Sequence, residues 1–556
     1  MPETANPRSS TLIFLALLLA AVWFGTLDMR KLVRPDEGRY AEIPREMVAT
    51  GDWLTPRLNA IKYFEKPPLQ YWATAAAYSV FGEHHWTARL WPALTGWLCV
   101  LLIYFAGRQL FGELTAFYAA LILASSPGFI IVAQINTLDM GLSLFMTATL
   151  MCFLLGLNDT KREKSPWMLA AWASAALAVL SKGLIGIVLP GGVLIAYVLV
   201  QREWMLLRRL RWGWGLLVFL AISAPWFVWV QHANPEFFDF FFIREHFSRF
   251  ASKVHRREGG WWYFLPILLI GMLPWLLHLP HALYSGWRHD TPNHRAFQPR
   301  RFLTLWAALI FVFFSASGSK LPSYIVPIFP ALALLIAHTL TTVNLKILLW
   351  NALLLVLGAV AIIAYAPYVT QWASEKVPAE LFAQYTPWLF AAGAAGLAAS
   401  LAAAWASRRG MRTAAITGIS LSMFATTQIG ALGHDAMSPS YSAYSLARQI
   451  QPYVDPNVPF YSVRNYDQTL AFYIKRPVTL VEYTDEMAYG LQQEPGLWLP
   501  DLPSFVKAWH GHSEALAIME PATYAKLESE GLPMQIIGQD VRRVVVRKPG
   551  AAATNK

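Results

Sequence analysis

Charge is scarce in this 556-residue chain, because only 14% of its residues are Asp, Glu, Lys or Arg. Soluble domains contain about a quarter of such residues. Hydrophobic residues make up 56% of the chain, and its mean hydropathy is +0.38. This balance excludes an ordinary soluble enzyme and predicts a membrane protein. The 24 Trp and 22 Tyr fit a chain with many membrane–water boundaries, where amphipathic rings settle.

Cysteine and the common nucleotide motifs are nearly or wholly missing. The two cysteines, Cys99 and Cys152, both fall inside apolar runs, so no disulfide is expected. No Walker loop, dinucleotide fingerprint or nucleophile elbow occurs, which argues against soluble nucleotide chemistry and against a nucleic-acid partner. No H-x-x-x-H or C-x-x-C spacing occurs either, so the sequence predicts no metal site built on one segment.

Long apolar runs are what the chain has instead, and thirteen of them predict membrane spans. The first run has one Arg before it and no small-residue cleavage site after it, so we interpret it as an uncleaved span and not a signal peptide. The predicted spans are 10–28, 86–107, 113–132, 138–156, 166–181, 184–200, 213–230, 262–284, 302–317, 322–340, 346–367, 385–405 and 412–432.

The distribution of Lys and Arg predicts the orientation. These residues concentrate in four short loops, at 159–164, 202–212, 287–301 and 407–412. All four loops lie on one side if the amino terminus is cytoplasmic, as the positive-inside rule requires. Arg30, Lys31 and Arg34 disagree, because they follow the first span on the opposite side, but they belong to a long segment where the rule is weaker.

The chain therefore divides into a membrane domain, 1–432, with outer loops at 29–85 and 231–261, and a tail, 433–556. An odd number of spans places the tail outside. We predict a multi-pass α-helical membrane protein of about thirteen spans with a small carboxy-terminal α/β domain. The tail has strand-like runs at 458–463, 477–483, 534–538 and 541–548, and helix-like runs at 441–451 and 503–510.

The first outer loop opens with an unusual charged stretch, "RPDEGRYAEIPREM" at 34–47, in which seven of fourteen residues are charged. One helical face collects its apolar side chains: Tyr40, Ile43, Met47 and Val48. The pattern predicts a helix at 36–49 that lies along the interface and is broken at Pro44. A solvated amphipathic connector is the alternative. That alternative explains Asp36 and Glu37 poorly, because acids near anionic headgroups need a partner or a cation.

The same loop continues with "YFEKPPLQYW" at 63–72. Its two prolines keep Glu65 and Lys66 out of an ordinary helix, in extended backbone at the membrane edge. The alternative is a rigid turn that leads into the next helix.

Asp139 stands at the outer end of a predicted span, in "INTLDMGLSLF". A carboxylate at that depth is costly and is by default a functional hypothesis. It also suits the amino-terminal cap of the span, and the two interpretations are compatible.

The outer loop 231–261 combines a row of Phe with basic residues that include Arg244. An aromatic and basic segment suits the anionic headgroup of a membrane lipid. It also contains His246, and a lone His is more often a hydrogen-bonded surface residue than a ligand. His246 becomes a metal candidate only if Glu65 comes near, because zinc binds His nitrogen and Glu oxygen together.

Three prolines interrupt the segment 317–334, at positions 322, 327 and 330. A broken helix at membrane depth is tolerated where it lines a cavity, which places Lys320 and Tyr324 at the mouth of that cavity. Lys182 is a similar isolated base between two spans. The outer face thus gathers cations that fit phosphate, namely Arg39, Lys66, Lys182, Arg244 and Lys320. An outward site without nucleotide donors must take its activated group from a lipid.

These stretches, with "DWLTPRLN" at 52–59 and "LPSYIVPIFPALAL" at 321–334, resemble the integral-membrane glycosyltransferases of the GT-C class. Within that class they are similar to the bacterial 4-amino-4-deoxy-L-arabinose (aminoarabinose) lipid A transferases, relatives of the protein O-mannosyltransferases. The similarity runs along most of the chain. It implies transfer of aminoarabinose from undecaprenyl phosphate to lipid A phosphates at the periplasmic face of the inner membrane, and hence resistance to polymyxin and cationic peptides.

The resemblance also implies roles for individual residues. The family's essential first-loop acid matches Asp36, and its second membrane-edge acid matches Asp139. A divalent, zinc-like metal near the lipid carrier would bind Glu65 and His246. Because the acceptor phosphate is largely ionised at neutral pH, Asp36 is expected to orient groups, bind the sugar's ammonium or stabilise an oxocarbenium-like centre. The transfer is expected to be a direct displacement with inversion.

Two rival functions stay open at this point. A related GT-C enzyme would move mannose to protein hydroxyls, and Asp36 would then act as a general base. A lipid transporter or flippase would need charged residues through the middle of the membrane, whereas here they collect at the outer ends. The tail could also serve as a binding module for periplasmic partners.

Overall fold

A computed structural model of the protein describes residues 9–158, 165–248, 259–288 and 297–549. In that part of the chain, eight helices are long and apolar enough to cross a membrane. Each coincides with one predicted span. They are His85–Phe111, Asp139–Asn158, Trp212–Ala233, Pro299–Ala316, Pro322–Leu340, Leu345–Trp372, Ala379–Arg408 and Arg412–Tyr441.

Two predicted spans are bent rather than straight. Glu113–Ser125 meets Pro127–Ala133 at 65°, and Phe264–Gly271 meets Trp275–Trp287 at 109°. Proline at 127 and 274 explains the positions of the bends, because it donates no backbone hydrogen bond and restricts the residue before it. Periodicity alone does not reveal such a change of direction.

Three further predicted spans are helices of 17 residues or fewer: Ser9–Gly25, Trp167–Lys182 and Ile185–Gln201. Every predicted span thus has a helix or a bent pair of helices at its place. Because these three helices are shorter than a full bilayer crossing normally requires, the number of thirteen crossings stays a prediction.

The first outer loop is fully structured. It consists of helix Asp36–Thr50, a two-stranded antiparallel hairpin of β1 (Arg57–Leu58) and β2 (Ile61–Lys62), and helix Leu69–Phe81. The expected break at Pro44 is wrong, since helix Asp36–Thr50 runs through it and ends before Gly51, which has a φ of 75°. Packing on all sides of this helix compensates for the backbone hydrogen bond that Pro44 cannot donate.

The tail contains a six-stranded sheet in the order β5-β4-β3-β6-β8-β7, in which β3, β4, β5 and β6 are parallel. The strands are β3 (Phe460–Val463), β4 (Thr479–Val481), β5 (Trp498–Leu499), β6 (Leu516–Met519), β7 (Gln535–Gln539) and β8 (Val544–Arg547). Helices Tyr444–Ile450, Gln468–Ile474, Ala488–Gln493, Leu502–Gly511 and Pro521–Ser529 connect or cover them.

The four predicted strands of the tail are confirmed as β3, β4, β7 and β8, but β5 and β6 were not predicted. The omission of β6 matters, because this strand lies between β3 and β8 in the sheet. Its sequence "LAIM" has Glu514 before it and Glu520 after it, and Leu, Ala, Met and Glu are all good helix formers. Burial of all four residues in the sheet overrides that propensity.

The tail packs directly on the first loop. Gly38 marks one close approach, since a Cβ placed there would stand 2.5 Å from the backbone carbon of Gln468. Asn59, in the hairpin turn, exchanges two hydrogen bonds with the backbone of Val478, at 2.6 and 2.8 Å. Helix Gln468–Ile474, which follows β3, and Val478, which precedes β4, therefore pack on the first loop, and this arrangement positions the site.

Contacts within the protein also explain the basic residues after the first span. Arg30 donates to the carbonyl oxygen of Gln134 at 2.7 Å, and the Lys31 ammonium lies 3.6 Å from the Asp435 carboxylate. These cations therefore hold segments of the protein together, and their place on the outer side does not contradict the orientation taken from the other loops. The two cysteines are buried and unpaired, as predicted.

Candidate active site between the first loop and the tail

Helix Asp36–Thr50 forms one wall of the site, and residues 37 to 47 of it are all buried. The prediction of an interfacial or solvated helix is therefore wrong. Five of the buried side chains are charged: Glu37, Arg39, Glu42, Arg45 and Glu46. Burial of so many charges is tolerated only when they have partners, and those partners come from distant parts of the chain.

Glu37 is a structural anchor. Its carboxylate makes a two-pronged contact with Arg89, at 2.7 and 2.8 Å, and the exposed fraction of the two side chains is 1% and 0%. It also accepts hydrogen bonds from the backbone of Val33 and Asn136, each at 3.0 Å. Burial alone would raise the pKa of Glu37, but Arg89 outweighs it and holds that pKa below the usual range.

Asp36, one residue earlier, has a different environment. Its side chain is 35% exposed, and its carboxylate accepts a hydrogen bond from Arg39 at 3.0 Å. Arg39 also donates to Glu486 of the tail, which in turn accepts a hydrogen bond from Gln468 at 2.7 Å. Burial raises the pKa of Glu486 in spite of Arg39. One guanidinium therefore joins the candidate catalytic acid to a second, more deeply buried acid.

Aromatic rings surround this guanidinium. The Arg39 guanidinium carbon lies 5.7 Å from the ring centre of Tyr40 and 5.9 Å from that of Tyr63. The rings of Tyr40 and Tyr71 are 6.2 Å apart. Burial and nearby carboxylates, including Glu65, raise the pKa of all three phenols, so each stays protonated and can donate a hydrogen bond.

Glu65 and Lys66 lie in a bend between β2 and helix Leu69–Phe81. The backbone is therefore not helical, as predicted, but it matches the alternative of a turn that leads into the next helix better than an extended segment. The Lys66 ammonium donates to the carbonyl oxygen of Glu65 at 2.8 Å and is 3.8 Å from its carboxylate. Both side chains are mostly buried, with exposed fractions of 15% and 17%. The ammonium is therefore held in a defined place near the tyrosines.

A second charged group forms where two neighbouring helices meet. Asp139 is the first residue of Asp139–Asn158, and Lys182 is the last residue of Trp167–Lys182. The Lys182 ammonium donates to the Asp139 carboxylate and lies 4.5 Å from the ring centre of Tyr324. The structure thus brings together three residues that the sequence singled out separately. The predicted irregular segment at Tyr324 is a 3₁₀ turn, Pro322–Ile328.

A buried amide pair links the two charged groups, since Gln70 donates to Asn136 at 2.7 Å, three residues before Asp139. Several buried polar atoms along this path have no hydrogen-bond partner in the described residues. They are Arg39 Nε, Tyr63 Oη, Tyr71 Oη, Gln70 Oε1 and Asn136 Nδ2. Since nearly all buried polar groups are satisfied in folded proteins, these atoms are suited to bind a polar ligand or ordered water.

Two of the predicted cations are placed elsewhere. The Lys320 ammonium donates to the carbonyl oxygens of Ser315 and Ser317, each at 2.7 Å, and so caps helix Pro299–Ala316. Arg244 is 56% exposed, lies 3.1 Å from Asp239 and stacks over Tyr489 at 5.3 Å. These contacts give both residues local structural partners, and a role in substrate binding stays a prediction for them.

The predicted metal site is untested. Glu65 is described, but the side chain of His246 lies outside the described residues, although its backbone belongs to the π-helix Asp239–Ser248. Among the described residues, no group of three or more His, Cys, Asp or Glu side chains is arranged to hold a metal ion.

Sequence reasoning missed Glu486 and Gln468. Both lie in the tail, which the sequence indicated as a separate domain. They are 447 and 429 positions after Arg39, so no local sequence pattern connects them to Arg39. The only signal was the unexplained surplus of charge in the first loop. Tyr63 and Tyr71 were within the quoted stretch 63–72 but received no role.

Two family models match the chain. The model described as dolichyl-phosphate-mannose-protein mannosyltransferase matches residues 8–241, and the one described as aminoarabinose transferase C-terminal domain matches residues 446–548. The undecaprenyl phosphate-alpha-4-amino-4-deoxy-L-arabinose arabinosyl transferase of Shewanella sediminis (strain HAW-EB3) is 30% identical over 500 residues, which cover 86% of this chain and 87% of that relative.

Similarity extends to a second relative and to a solved structure. The arabinosyl transferase 2 of Proteus mirabilis (strain HI4320) is 35% identical, and the aligned region spans 60% of this chain and 60% of that relative. The crystal structure of ArnT from Cupriavidus metallidurans bound to undecaprenyl phosphate superposes with a TM-score of 0.92 at 38% identity, over 99% of this chain and 100% of that one.

A helical membrane domain with a charged site between its first loop and an α/β tail defines an integral-membrane glycosyltransferase of the GT-C class. Within this class, the chain belongs to the family of undecaprenyl phosphate-aminoarabinose arabinosyl transferases.

Proposed function

We propose that this protein transfers 4-amino-4-deoxy-L-arabinose from undecaprenyl phosphate to phosphate groups of lipid A at the periplasmic face of the bacterial inner membrane. The relatives' names state the donor and the sugar, and the Cupriavidus metallidurans relative was crystallised with undecaprenyl phosphate. The observation that carries the proposal is the partly exposed acid Asp36, placed at the same end of the helical domain as Lys66 and Lys182.

The two lysines suit the phosphate of the donor. Lys66 lies in the bend before helix Leu69–Phe81 and Lys182 is the last residue of helix Trp167–Lys182, both on the outer side of the helical domain, where the phosphate of a membrane-anchored lipid lies. An ammonium in a mostly buried position stabilises a phosphate more strongly than one in water, because the local dielectric constant is lower. Lys182 already has the carboxylate of Asp139 as a partner, so that acid fixes the position of the ammonium.

The sugar fits the group around Asp36. Its ammonium and hydroxyls need carboxylates and hydrogen-bond donors, which Asp36, the phenols of Tyr63 and Tyr71, and the amide of Gln70 provide. The hydroxyl groups of the two tyrosines are buried and have no partner in the described residues, so binding a sugar there breaks no existing hydrogen bond.

The transfer itself is a single displacement. An oxygen of the lipid A phosphate forms a bond to the anomeric carbon, while the bond from that carbon to the undecaprenyl phosphate oxygen breaks and the carrier keeps the electron pair. The configuration of the anomeric carbon inverts. The acceptor phosphate is already ionised, so Asp36 stabilises the oxocarbenium-like centre or the ammonium and is not required as a base. The cations stabilise the charge that develops on the leaving phosphate.

We retain a zinc-like ion on Glu65 and His246 as part of the proposal. Two protein ligands would leave coordination positions for phosphate oxygens, and the ion would act as a Lewis acid there. Glu65 fits such a role, because its carboxylate lies beside Lys66 in the segment that approaches the donor phosphate.

Mass spectrometry of lipid A tests the proposal. Cells that lack their own transferase should gain aminoarabinose-modified lipid A when they express this chain, and polymyxin resistance should rise with it. Purified protein, undecaprenyl phosphate-aminoarabinose and lipid A should reproduce the transfer in detergent. Unmodified lipid A in both experiments, with the protein folded in the membrane, would contradict the proposal.

One alternative function is transfer of mannose to a protein hydroxyl, because residues 8–241 match the mannosyltransferase model. The matching carboxy-terminal domain and the full-length similarity to arabinosyl transferases favour aminoarabinose. Offering the purified protein both polyprenyl-linked sugars in one reaction distinguishes the two, because only the true donor is consumed.

A further inference from the structure

Three charged side chains lie together on helix Asp36–Thr50, on the part of the helix that follows the site. Glu42, Arg45 and Glu46 are all buried, with at most 4% of each residue exposed. Arg45 makes a two-pronged contact with Glu42, in which both distances are 2.6 Å. None of the three contacts Asp36, and the proposed reaction uses none of them.

Glu46 is the unusual member of this group. One of its carboxyl oxygens accepts a hydrogen bond from the backbone of Ala60, in the hairpin turn, at 2.8 Å. The other oxygen is buried and has no donor among the described residues. The carboxyl group of Glu46 is within hydrogen-bonding reach of that of Glu42, and two ionised carboxylates cannot form a hydrogen bond with each other.

The charges balance only if one proton is present. A single cation, Arg45, already neutralises Glu42, and an ionised Glu46 would leave one uncompensated negative charge in a buried position. Burial and the nearby Glu42 raise the pKa of Glu46 to about 8. Burial raises the pKa of Glu42 as well, so the pair holds one proton at neutral pH. Because Arg45 forms its ion pair with Glu42, that proton lies on Glu46, which donates to Glu42.

Among the residues that the structure describes, no neighbouring group removes the need for this proton. The groups that face the cluster from other elements are Tyr78, Glu83, Tyr466 and Lys475. Lys475 and Glu83 form an ion pair with each other at 2.5 Å, and both are partly exposed. The two tyrosines are neutral, because burial raises the pKa of each well above its usual value.

The cluster lies in the contact between the first loop and the tail. Arg45 donates to the carbonyl oxygen of Lys475 at 3.4 Å. Ile43 and Met47, which flank the cluster on the same helix, pack in one hydrophobic core with Tyr466 and Leu470 of the tail. An extra negative charge at Glu46 therefore acts on the packing that holds the tail against the helix of Asp36 and Arg39.

We propose that Glu42, Arg45 and Glu46 form a proton-dependent joint, which holds the tail against the active-site helix while Glu46 is protonated and loosens as that proton is lost. The tail supplies Glu486 to Arg39, so loosening the joint also disturbs the site. The link to catalysis rests on the proposed function, whereas the joint itself does not.

The direction of the pH effect follows from the raised pKa. The protonated joint stabilises the docked state fully below about pH 4.5, the ordinary value for Glu, and this contribution is lost as the pH rises towards about 8. A difference of one bound proton changes the docking equilibrium about tenfold per pH unit in that window.

Hydrogen exchange of the full-length wild-type protein in detergent tests the joint directly. The measured exchange rate of each amide is divided by its intrinsic, base-catalysed rate at the same pH. This corrected rate should rise by up to about 100-fold between pH 6 and pH 8 in Asp36–Thr50 and Gln468–Ile474. Exchange in β6, within the sheet, should not change. Equal corrected rates at the two pH values in the two helices would overturn the proposal, whatever the activity of the protein.

Glu46→Gln removes the titration of Glu46 and of no other residue. Its amide still donates a hydrogen bond to Glu42 and still accepts one from the backbone of Ala60. The variant should show pH-independent exchange in both helices and should stay active at pH values where the wild type loses activity. Glu494→Gln is the matched control, since Glu494 pairs with Arg57 in the same contact but is partly exposed. It should keep the wild-type pH dependence.

The possible outcomes distinguish failure of the proton-dependent joint from failure of the proposed transferase function. If Glu46→Gln keeps the wild-type rise in exchange, the joint is wrong. If the joint behaves as expected but no sugar is transferred, the proposed function fails alone. If Glu46→Gln does not fold, the comparison of wild-type exchange at pH 6 and pH 8 still decides.

Discussion

Arg39 of the first loop and Glu486 of the tail form an ion pair across 447 positions of sequence, and the same guanidinium holds Asp36. The tail therefore contributes to the candidate active site and is not only a module attached to it. Because the Glu486 side chain is only 10% exposed and its only charged hydrogen-bonding partner among the described residues is Arg39, the pair fixes the guanidinium in place.

We expect Glu486→Ala to reduce kcat by about 10- to 100-fold with little change in donor affinity, as is typical for residues that orient a functional group. The variant frees the Arg39 guanidinium to move away from Asp36. Asp485→Asn is the matched control, since Asp485 is the exposed neighbour, and its activity should be unchanged. Steady-state kinetics with purified protein provides the measurement. A variant that loses donor affinity with unchanged kcat would contradict the positioning role.

Asp36→Asn should fold normally and lose transfer by about 100-fold or more, because it removes charge stabilisation at the reacting centre. A partly exposed acid contributes little to stability, so expression and melting temperature should match the wild type. Asp28→Asn, an exposed acid at the end of the first span, serves as the control. Lipid A modified to the wild-type level by Asp36→Asn would exclude Asp36 from the mechanism.

Lys66→Ala should weaken binding of undecaprenyl phosphate by about 10- to 100-fold, since a hydrogen bond to a charged group contributes roughly 1.5–3 kcal/mol. Lys62→Ala is the control on the same loop, because Lys62 pairs with Glu236 at 2.7 Å and has no role in the proposed site. Binding of the carrier lipid to each variant in detergent measures the effect. Equal affinity and turnover for Lys66→Ala and wild type would show that the ammonium does not bind the donor phosphate.

Glu37→Gln should lower the free energy of unfolding and should not act on the transfer reaction directly. Removing one partner of a buried ion pair costs roughly 3–5 kcal/mol, because the remaining charge of Arg89 stays buried. Glu83→Gln breaks the partly exposed pair with Lys475 and should cost at most about 1 kcal/mol. Thermal unfolding of both variants in detergent compares the two pairs. A Glu37→Gln variant as stable as Glu83→Gln would show that Arg89 finds another partner.

The membrane spans could be predicted because each is a local property of some twenty consecutive residues. The helix of the first loop was predicted at 36–49 and is observed at Asp36–Thr50. Its burial could not be predicted, since its amphipathic pattern indicated a surface helix whereas its charges are paired in the interior. The partners of Glu37 and Arg39 are Arg89 and Glu486, 52 and 447 positions away. Pairing over such distances leaves no periodicity in the sequence, and a charged helix is buried only because those partners exist.

In the candidate site, too, the individual residues could be predicted from the sequence but their contacts could not. Asp36, Lys66, Asp139 and Lys182 were recognisable as costly charges at the membrane edge. The structure pairs Asp139 with Lys182, and a hydrogen bond from the backbone of Asn136 to Glu37 links the segment before Asp139 to the helix of Asp36. The contact between Asp139 and Lys182 depends on the antiparallel packing of two helices, which the sequence does not specify. For Lys320 the sequence did not indicate the local contacts, because an isolated base can equally serve to cap a helix, and its role in substrate binding stays a prediction.

The remaining prediction concerns the metal. If Glu65 and His246 hold a zinc-like ion, protein purified in metal-free buffer should retain about one zinc per chain, and Glu65→Gln and His246→Ala should each lose it. Adding undecaprenyl phosphate should strengthen retention in the wild type, because phosphate oxygens complete the ligand shell. His232→Ala is the control for His246, since His232 ends helix Trp212–Ala233 and has no assigned role.

Elemental analysis of the four proteins, with and without carrier lipid, gives a readout that does not depend on catalysis. Chelation should then lower donor affinity in the wild type but not in the two ligand variants, where no ion is left to remove. Wild-type protein that carries no zinc even with undecaprenyl phosphate, and keeps its donor affinity after chelation, would exclude the metal. Lys66 and Lys182 would then have to neutralise the donor phosphate alone, and Lys66→Ala would become the most damaging of the binding variants.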